Sequence, residues 1–395
     1  MKFEFKHLRI LLKRKLAKFQ LAQRWRLEQF RRRGERHFAA DPRFDLANVR
    51  DGFVSHLDDP GRDDQRGEDA ILERICSAYI KAAERQKTAP AAYRPTDWWE
   101  QRRKRNLQPV MTALAARDLP TLRGMYRNFY RDPCSAGLIV SQTVAKDYFG
   151  ERMTDFHAQL YLIDALYRLD YWQQRTGGRT TLNDLSGPLI GNPFGVVIDG
   201  ILVRSGADYQ QCCAQRIHGL LGSKKNTVAE IGGGFGGMAY YLLRDRAETT
   251  YIDFDVPESI ALTSYYLLKA FPQLRFLLYG EEHLTSEAIS RADVALMPLT
   301  ELVLMPAGCA DLTFSSHAMS DLSMDAMVEY VNHVAAMTKA HFLYVGREAS
   351  GQLISELLAR QHPALKLVEK HASGWHDHRV ERGSEIEYLF RMEGS

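Results

Sequence analysis

A chain of 395 residues, 45 % apolar and 26 % charged, can bury a sizeable core and exceeds what one core usually serves. This excludes wholesale disorder and predicts two domains with an additional helical arm. Net charge is only +3, yet residues 1–40 hold 13 Lys/Arg against 3 Glu, a local +10 that leaves the remainder near −7; with no stacking aromatic motif beside the basic groups, nucleic acid is not an expected partner.

In chain order, the arm comes first. Phe5, Leu8, Leu12, Leu16 and Phe19 recur every three or four positions, which predicts a helix with one apolar stripe among cations. Such a helix packs on its own protein, associates with a second copy, or lies on an anionic membrane surface. Its longest apolar run, Ile10–Leu12, is too short for a secretory signal, and nowhere do about 18 apolar residues run together, so no transmembrane helix is expected. The five cysteines (Cys76, Cys134, Cys212, Cys213, Cys309) show no CxxC spacing and an odd total. They read as reduced thiols and point to the cytoplasm, with the inner face of the membrane open to the arm.

Residues 41–66 are rich in Asp, Arg and Gly and read as a loop. From Ala70 to Leu185 the pattern is helical, broken at Pro90, Pro95, Pro120 and Pro133. The stretch 186–205 mixes turn residues with β-branched runs and predicts a loop and hairpin, a candidate lid. The expected organisation is therefore a basic arm over 1–40, a helical domain over 41–205 with the hairpin or lid at 186–205, and a third unit over 206–395. In that last unit, short apolar strands at 227–232, 249–254, 275–279, 293–298, 311–316 and 341–346 alternate with helices at 207–221, 236–245, 257–271, 323–338 and 351–361, before a last strand "EIEYLFRM". That alternation predicts an α/β fold, a Rossmann-like doubly wound sheet preceded by an all-helical region.

"VAEIGGGFGGMAYY" places Gly232, Gly233, Gly234, Gly236 and Gly237 between a strand and a helix, the arrangement that brings a ligand against bare main chain and a helix N-terminus. Gly232, Gly234 and Gly237 also satisfy G-x-G-x-x-G, so the glycines alone do not choose between a dinucleotide and another adenosine ligand. Glu230 does: a carboxylate two residues before the first glycine repels a pyrophosphate and attracts a cation, and S-adenosyl-L-methionine carries a sulfonium and an ammonium without any phosphate. Asp253 and Asp255 end the next strand, where an acid accepts both ribose hydroxyls; Asp255 stands at the turn into the following helix.

E-x-G-G-G-x-G-G with a strand-end Asp resembles the glycine motif and ribose acid of class I S-adenosylmethionine-dependent methyltransferases. "EIGGGFGGMAYYLL", "YIDFDVPESIALTSYYLLKAFP" and "IGNPFG", within roughly residues 185–350, look more closely like the sugar O-methyltransferases encoded with bacterial surface-polysaccharide genes. The resemblance implies methyl transfer to a hydroxyl of a sugar or glycan acceptor, with Glu230, Gly232, Gly233, Gly234, Gly236, Asp253 and Asp255 at the cofactor.

Methyl transfer to a hydroxyl needs a base in line with the methyl. "ADLTFSSHAMSDLS" supplies His317 directly after a strand and Asp321 four residues on, the same face if a helical turn starts there, so His317 is the candidate base and Asp321 its partner. The sugar methyltransferases carry Asn, Ser and Glu in this stretch, a departure. Trp375, His376 and Arg379 in "HASGWHDHRVERGSE" are candidates to stack on and hold a sugar. Arg127 and Arg131 at i, i+4 suit a phosphate or carboxylate, and Asn192 between Gly191 and Pro193 suits an acceptor-facing turn. The adjacent residues His376, Asp377 and His378 rarely converge on one ion, so no metal is expected. Two other readings stay open: an NAD(P)-dependent oxidoreductase using the same glycine pattern, and a non-catalytic, membrane-recruited scaffold of polysaccharide synthesis.

Overall fold

The computed structural model describes residues 22, 24–57, 65–139, 153–246, 248–320, 322–375, 377–378 and 385–394. The apolar stripe of the arm lies outside these residues. The arm's later part is helix α1 (24–37), whose Phe30 is buried against Tyr167 and His378 and whose Arg31 meets Gln159.

The expected helical region follows as α2 (Leu46–Gly52), α3 (Gln65–Lys87), α4 (Asp97–Arg102), α5 (Gln108–Ala116), α6 (Leu119–Arg127) and α7 (Asp155–Arg175). The prolines act where their chemistry allows: α3 stops before Pro90, while Pro120 sits in the first turn of α6, where its missing N–H costs nothing. The predicted hairpin is the antiparallel pair β1 (Gly195–Ile198) and β2 (Ile201–Arg204), packed against α2.

The chain then alternates as expected: α8 (Ala207–Leu220), β3 (Asn226–Ile231), α9 (Gly237–Asp245), β4 (Thr249–Asp255), α10 (Pro257–Ala270), β5 (Phe276–Leu278), α11 (Ser286–Arg291), β6 (Val294–Pro298), β7 (Ala310–Ser316), α12 (Met324–Met337), β8 (Thr338–Arg347), α13 (Glu348–Gln361), β9 (Leu365–Ala372) and β10 (Glu385–Met392). The eight-stranded sheet has the order β5-β6-β4-β3-β7-β8-β10-β9, parallel except for β10, which pairs antiparallel with β8 and β9. β9 and α11 were not expected. Most of β9 is exposed, and its Lys366, Glu369 and Lys370 guard an edge rather than advertise a buried strand.

Alternation along the central strands divides the core. Val228, Tyr251, Leu312 and Leu343 face the first side, and Ala229, Ile252 and Phe342 face the second. α8, α9 and α10 cover the first side, and the N-terminal helices form a further layer on them within one continuous hydrophobic cluster; α12 and α13 cover the second. Buried ion pairs join the layers. Glu68 of α3 accepts from Arg127 Nε (2.8 Å) of α6 and from Tyr265 OH (2.6 Å) of α10. Burial raises its pKa, but those two hydrogen bonds together with the charges of Lys269 and Arg127 hold the carboxyl below its usual range. Arg168 of α7 grips Asp208 of α8 through two bonds of 2.7 and 2.8 Å.

Among the described residues no helix is long and apolar enough to cross a membrane. The contact between α2 and the hairpin is main chain on main chain: a Cβ added at Gly52 would lie 2.2 Å from Gly195 O. Gly52→Ala should therefore cost about 1–3 kcal/mol in urea unfolding. Gly124→Ala, in α6 with nothing within 4 Å, should instead add about 0.5–1 kcal/mol from helix propensity. Equal effects at the two positions would contradict this packing.

Candidate functional site

β3 is flanked by β4 on one side and β7 on the other, so the chain reverses its direction of winding at β3. Ligands in open α/β sheets bind at the carboxyl ends of the strands beside such a reversal. The glycine loop leaves β3 there, with positive φ at Gly232 (+83°), Gly234 (+65°) and Gly236 (+86°), and runs directly into α9. Gly233 is required by contact rather than by φ, because a Cβ on it would lie 2.7 Å from the Asp253 carboxylate. Thr263 Oγ1 of α10 fastens the loop by donating to Gly234 O (2.7 Å).

Three carboxylates surround this loop. Glu230 and Asp253 are register partners on adjacent strands, and Asp255 follows on the same face. Glu230 is 3 % exposed, and its Oε2 accepts from Tyr251 OH at 2.6 Å. Asp253 is fully buried; its Oδ1 accepts from Gly233 N (2.9 Å), while its Oδ2 is buried without a partner. Asp255 accepts from Gly234 N (3.2 Å) and from Val256 N (2.7 Å). Among the described residues none of the three stands in an ion pair.

The missing counter-charge shows in their acidity. Burial pushes Glu230 up to about 7, with the Tyr251 hydrogen bond opposing and Asp255 adding to the rise. Burial likewise lifts Asp255 to about 7 against the bonds from Val256 and Gly234 N–H, with Glu258 adding to the rise. Asp253 is driven well above the carboxylate range by burial and by its two acidic neighbours. A further anion is repelled here, and a cation or a pair of hydroxyl donors is welcomed. The donor set, the orphaned Oδ2 and the cradle that a Cβ would fill suit a positively charged, phosphate-free nucleoside and oppose a pyrophosphate.

The neighbouring strand end carries the candidate base. His317 follows β7 with φ +64°, its N–H bonded to Val345 O of β8 (2.8 Å), and its side chain is 51 % exposed. A non-glycine residue in this conformation costs of order 1–3 kcal/mol and persists only where its surroundings enforce it. The adjacent Ala318 lies against Gly232, so His317 stands beside the glycine loop. The expected helical turn from His317 is not formed: residues 318–320 make a turn and α12 starts at Met324, capped by Ser323. Asp321 lies outside the described residues. The carboxylate that meets His317 is Glu385, the first residue of β10, with Oε2 3.2 Å from Nε2, and Ser373 donates to its other oxygen. Tyr209 of α8 completes the surroundings, its OH 2.7 Å from Ser316 Oγ.

The expected acceptor residues are placed differently. Arg127 is spent on Glu68, and Arg131 binds the carbonyls of Asn192 (3.2 Å), Val54 (3.0 Å) and Pro193 (3.4 Å), so the two arginines do not converge on one anion. Asn192 is buried and ties three segments, accepting from His56 N (2.8 Å) and donating to Ser55 Oγ (3.2 Å) and Asn128 Oδ1 (2.8 Å). Trp375 is 4 % exposed, edge to face with Tyr171 and Tyr209 at 5.0 and 5.4 Å, and under the Arg168 guanidinium at 5.2 Å. Its loop folds back on α7, where Tyr171 OH donates to Ser373 O, and leaves no ring face for a sugar. His376 and Arg379 lie outside the described residues. His378 is bonded to Asp164 (2.7 Å), and among the described residues no three His, Cys, Asp or Glu side chains gather as a metal site.

Sequence reasoning missed Tyr251, Tyr209, Glu385 and Ser373. For Glu385 a signal existed: a last strand antiparallel to β8 begins at the end where β8 finishes, and β8 finishes beside β7.

No protein-family model and no curated protein matches the chain. Solved structures to which it is similar include the pyocyanin biosynthetic protein PhzM, at 12 % identity over 48 % of this chain and 56 % of that one, with a TM-score of 0.32; the chain thus spans little more than half of that protein's length. Others are a SAM-dependent methyltransferase from Aquifex aeolicus (12 % identity, 45 % and 87 % coverage, TM-score 0.31) and the N-methyltransferase NodS from Bradyrhizobium japonicum WM9 in complex with S-adenosyl-L-homocysteine (15 % identity, 46 % and 85 % coverage, TM-score 0.30). At these scores the likeness bears no weight of its own, and function has to be read from the site.

Proposed function

We propose that the chain is an S-adenosyl-L-methionine-dependent methyltransferase that methylates a hydroxyl group. The observation that carries this reading is the cluster Glu230, Asp253 and Asp255 around bare main chain with no cation among the described residues to balance it. A nicotinamide dinucleotide would bring two more negative charges to the same place. The bound cofactor would supply an electrophilic methyl on a positively charged sulfur; Glu230 would face the positive end and Asp255 the ribose hydroxyls.

On the acceptor side His317 is the base. The Glu385 carboxylate lies 3.2 Å from Nε2, which would leave Nδ1 to take the proton of the acceptor hydroxyl, while the bound cofactor would supply the methyl group. Glu385 holds the ring and balances the imidazolium that forms. Within this reading we favour a sugar of a bacterial surface glycan or its precursor as acceptor, which the motif likeness of residues 185–350 supports, and a cytoplasmic setting, which the five free thiols suit. The basic arm would meet an anionic membrane or a second copy of the chain.

Two predictions follow from the acids and one from the base. Because Glu230 and Asp255 titrate near 7, and the ionised Glu230 attracts the cation while the ionised Asp255 accepts the ribose hydroxyls, affinity for S-adenosylmethionine should rise as pH goes from 6 to 7.5, by up to about tenfold per carboxylate; the groups facing them, Tyr251, Asp253, Glu258, Ser259 and Tyr330, offer no compensating cation. A flat profile in equilibrium dialysis would remove the acids from binding. Glu230→Gln should weaken binding yet stabilise the fold. A carboxyl raised from 4.5 to about 7 stabilises the folded state most below pH 4.5 and loses that contribution as pH rises through 7, so the glutamine should gain about 2–3 kcal/mol over wild type at pH 8 and little at pH 5. Finally, His317→Ala should cut turnover roughly 10²–10⁴-fold, and Glu385→Gln by less, both with unchanged affinity for S-adenosylhomocysteine. Turnover untouched in both would exclude the base.

A further inference from the structure

Residues 88–103 change sides of the sheet twice. α3 runs along the first face against α10, then Ala89 and Tyr93 are buried in the cluster of the second face, and Trp99 returns to the first. A segment that does this must pass a rim of the sheet, and its contacts identify which one. Arg85, just before it, faces Glu301 and Tyr279, which follow β6 and β5. Tyr93 OH lies 3.1 Å from Glu329 Oε1 and 2.6 Å from His333 Nε2 of α12, and its ring meets Tyr330 at 5.9 Å. Tyr330 in turn lies within electrostatic reach of both Tyr93 and Asp255. On the far side Trp99 Nε1 and Arg103 Nε donate to Glu258 Oε1 (2.5 and 2.6 Å), and Arg103 Nη2 donates to Oε2 (2.7 Å). Glu258 stands in the first turn of α10, three residues past Asp255, and is 4 % exposed. The crossing therefore lies over the carboxyl end of β4, beside the acid assigned to the ribose.

We infer that residues 88–103 are a strap forming the outer wall of the adenosine half of the cofactor site, latched by Glu258; this rests on the cofactor reading above. The strap brings flat aromatic surface close to the acid assigned to the ribose and to the glycine loop. Trp98 is 45 % exposed with Arg102 stacked on it at 4.7 Å, and the two indoles lie against Gly137, whose neighbour Leu138 turns its carbonyl toward Gly234. Elsewhere in the fold a buried carboxylate with an arginine fork joins two packed layers, as Asp208 of α8 does with Arg168 of α7. Here one end of such a fork lies on the segment that a nucleoside would have to pass on entering or leaving, so the latch sets the rate of cofactor exchange.

The test uses the full chain and S-adenosylhomocysteine. Hydrogen–deuterium exchange with and without it should show protection of 88–103 together with the glycine loop, and stopped-flow displacement should show dissociation at least tenfold faster in Glu258→Gln, which keeps an acceptor for Trp99 but loses the charge that holds Arg103. Protection of the glycine loop with no change at 88–103 overturns the strap alone, as does an unchanged dissociation rate in a folded Glu258→Gln protein. A wild-type chain that shows no binding of S-adenosylhomocysteine overturns the cofactor reading and the strap with it.

Discussion

Three carboxylates held beside naked main chain, with no cation among the described residues to balance them, are the constraint to which the rest of the molecule answers. Four other buried acids are paired with arginines: Glu68 meets Arg127, Asp208 meets Arg168, Glu258 meets Arg103 and Glu387 meets Arg175 and Arg216. Removing a partner from such a pair leaves an uncompensated charge that costs several kcal/mol. Glu230, Asp253 and Asp255 are kept in that state by the fold, because the register of β3 and β4 sets the first two side by side and the turn into α10 adds the third. Buried acids without a cation partner and with strongly shifted acidity are what a binding site requires and what stability alone disfavours.

The sheet supplies the rigidity that such a cluster needs. β3, β4 and β6 are buried on both faces, so neither acid-bearing strand can retreat from the other. The helical N-terminal region thickens one side of this sheet and shares its core, and through Glu258 and Tyr93 it reaches the strand ends directly. Across the point of reversal, His317 is held with positive φ by Val345 and paired with Glu385 from the last strand. The two halves of the proposed chemistry, a cation-seeking cluster of acids and a base, thus come from opposite sides of β3.

How much of this was legible in the sequence depended on distance along the chain. The glycine loop, Glu230, Asp253 and Asp255 lie within 26 residues of one another, and strand periodicity places them correctly. The candidate base follows a strand and is legible for that reason; helical spacing gives it Asp321 as partner, a residue outside those described, and from His317 to Ser320 the chain makes a left-handed step and a turn. Its described partner is 68 positions away and is joined to it only by the pairing of β10 on β8. Arg127, Arg131, Asn192 and Trp375 were read as reaching outward. A motif cannot show that Glu68, the Val54 carbonyl, His56 or Tyr171 already occupies a side chain, because burial is a property of the packed layers. β9 escaped for a related reason: an edge strand covered in charge lacks the apolar run by which strands are recognised.

In the proposed function, binding delivers a positive charge to acids that are partly protonated before it arrives. Calorimetric titration of the full chain with S-adenosylmethionine at pH 7, in two buffers of different ionisation enthalpy, measures this directly. Saturable binding with net release of protons is expected, and no heat of binding from NAD. Tight binding of NAD, or binding of S-adenosylmethionine with no proton exchanged, would contradict the proposed function.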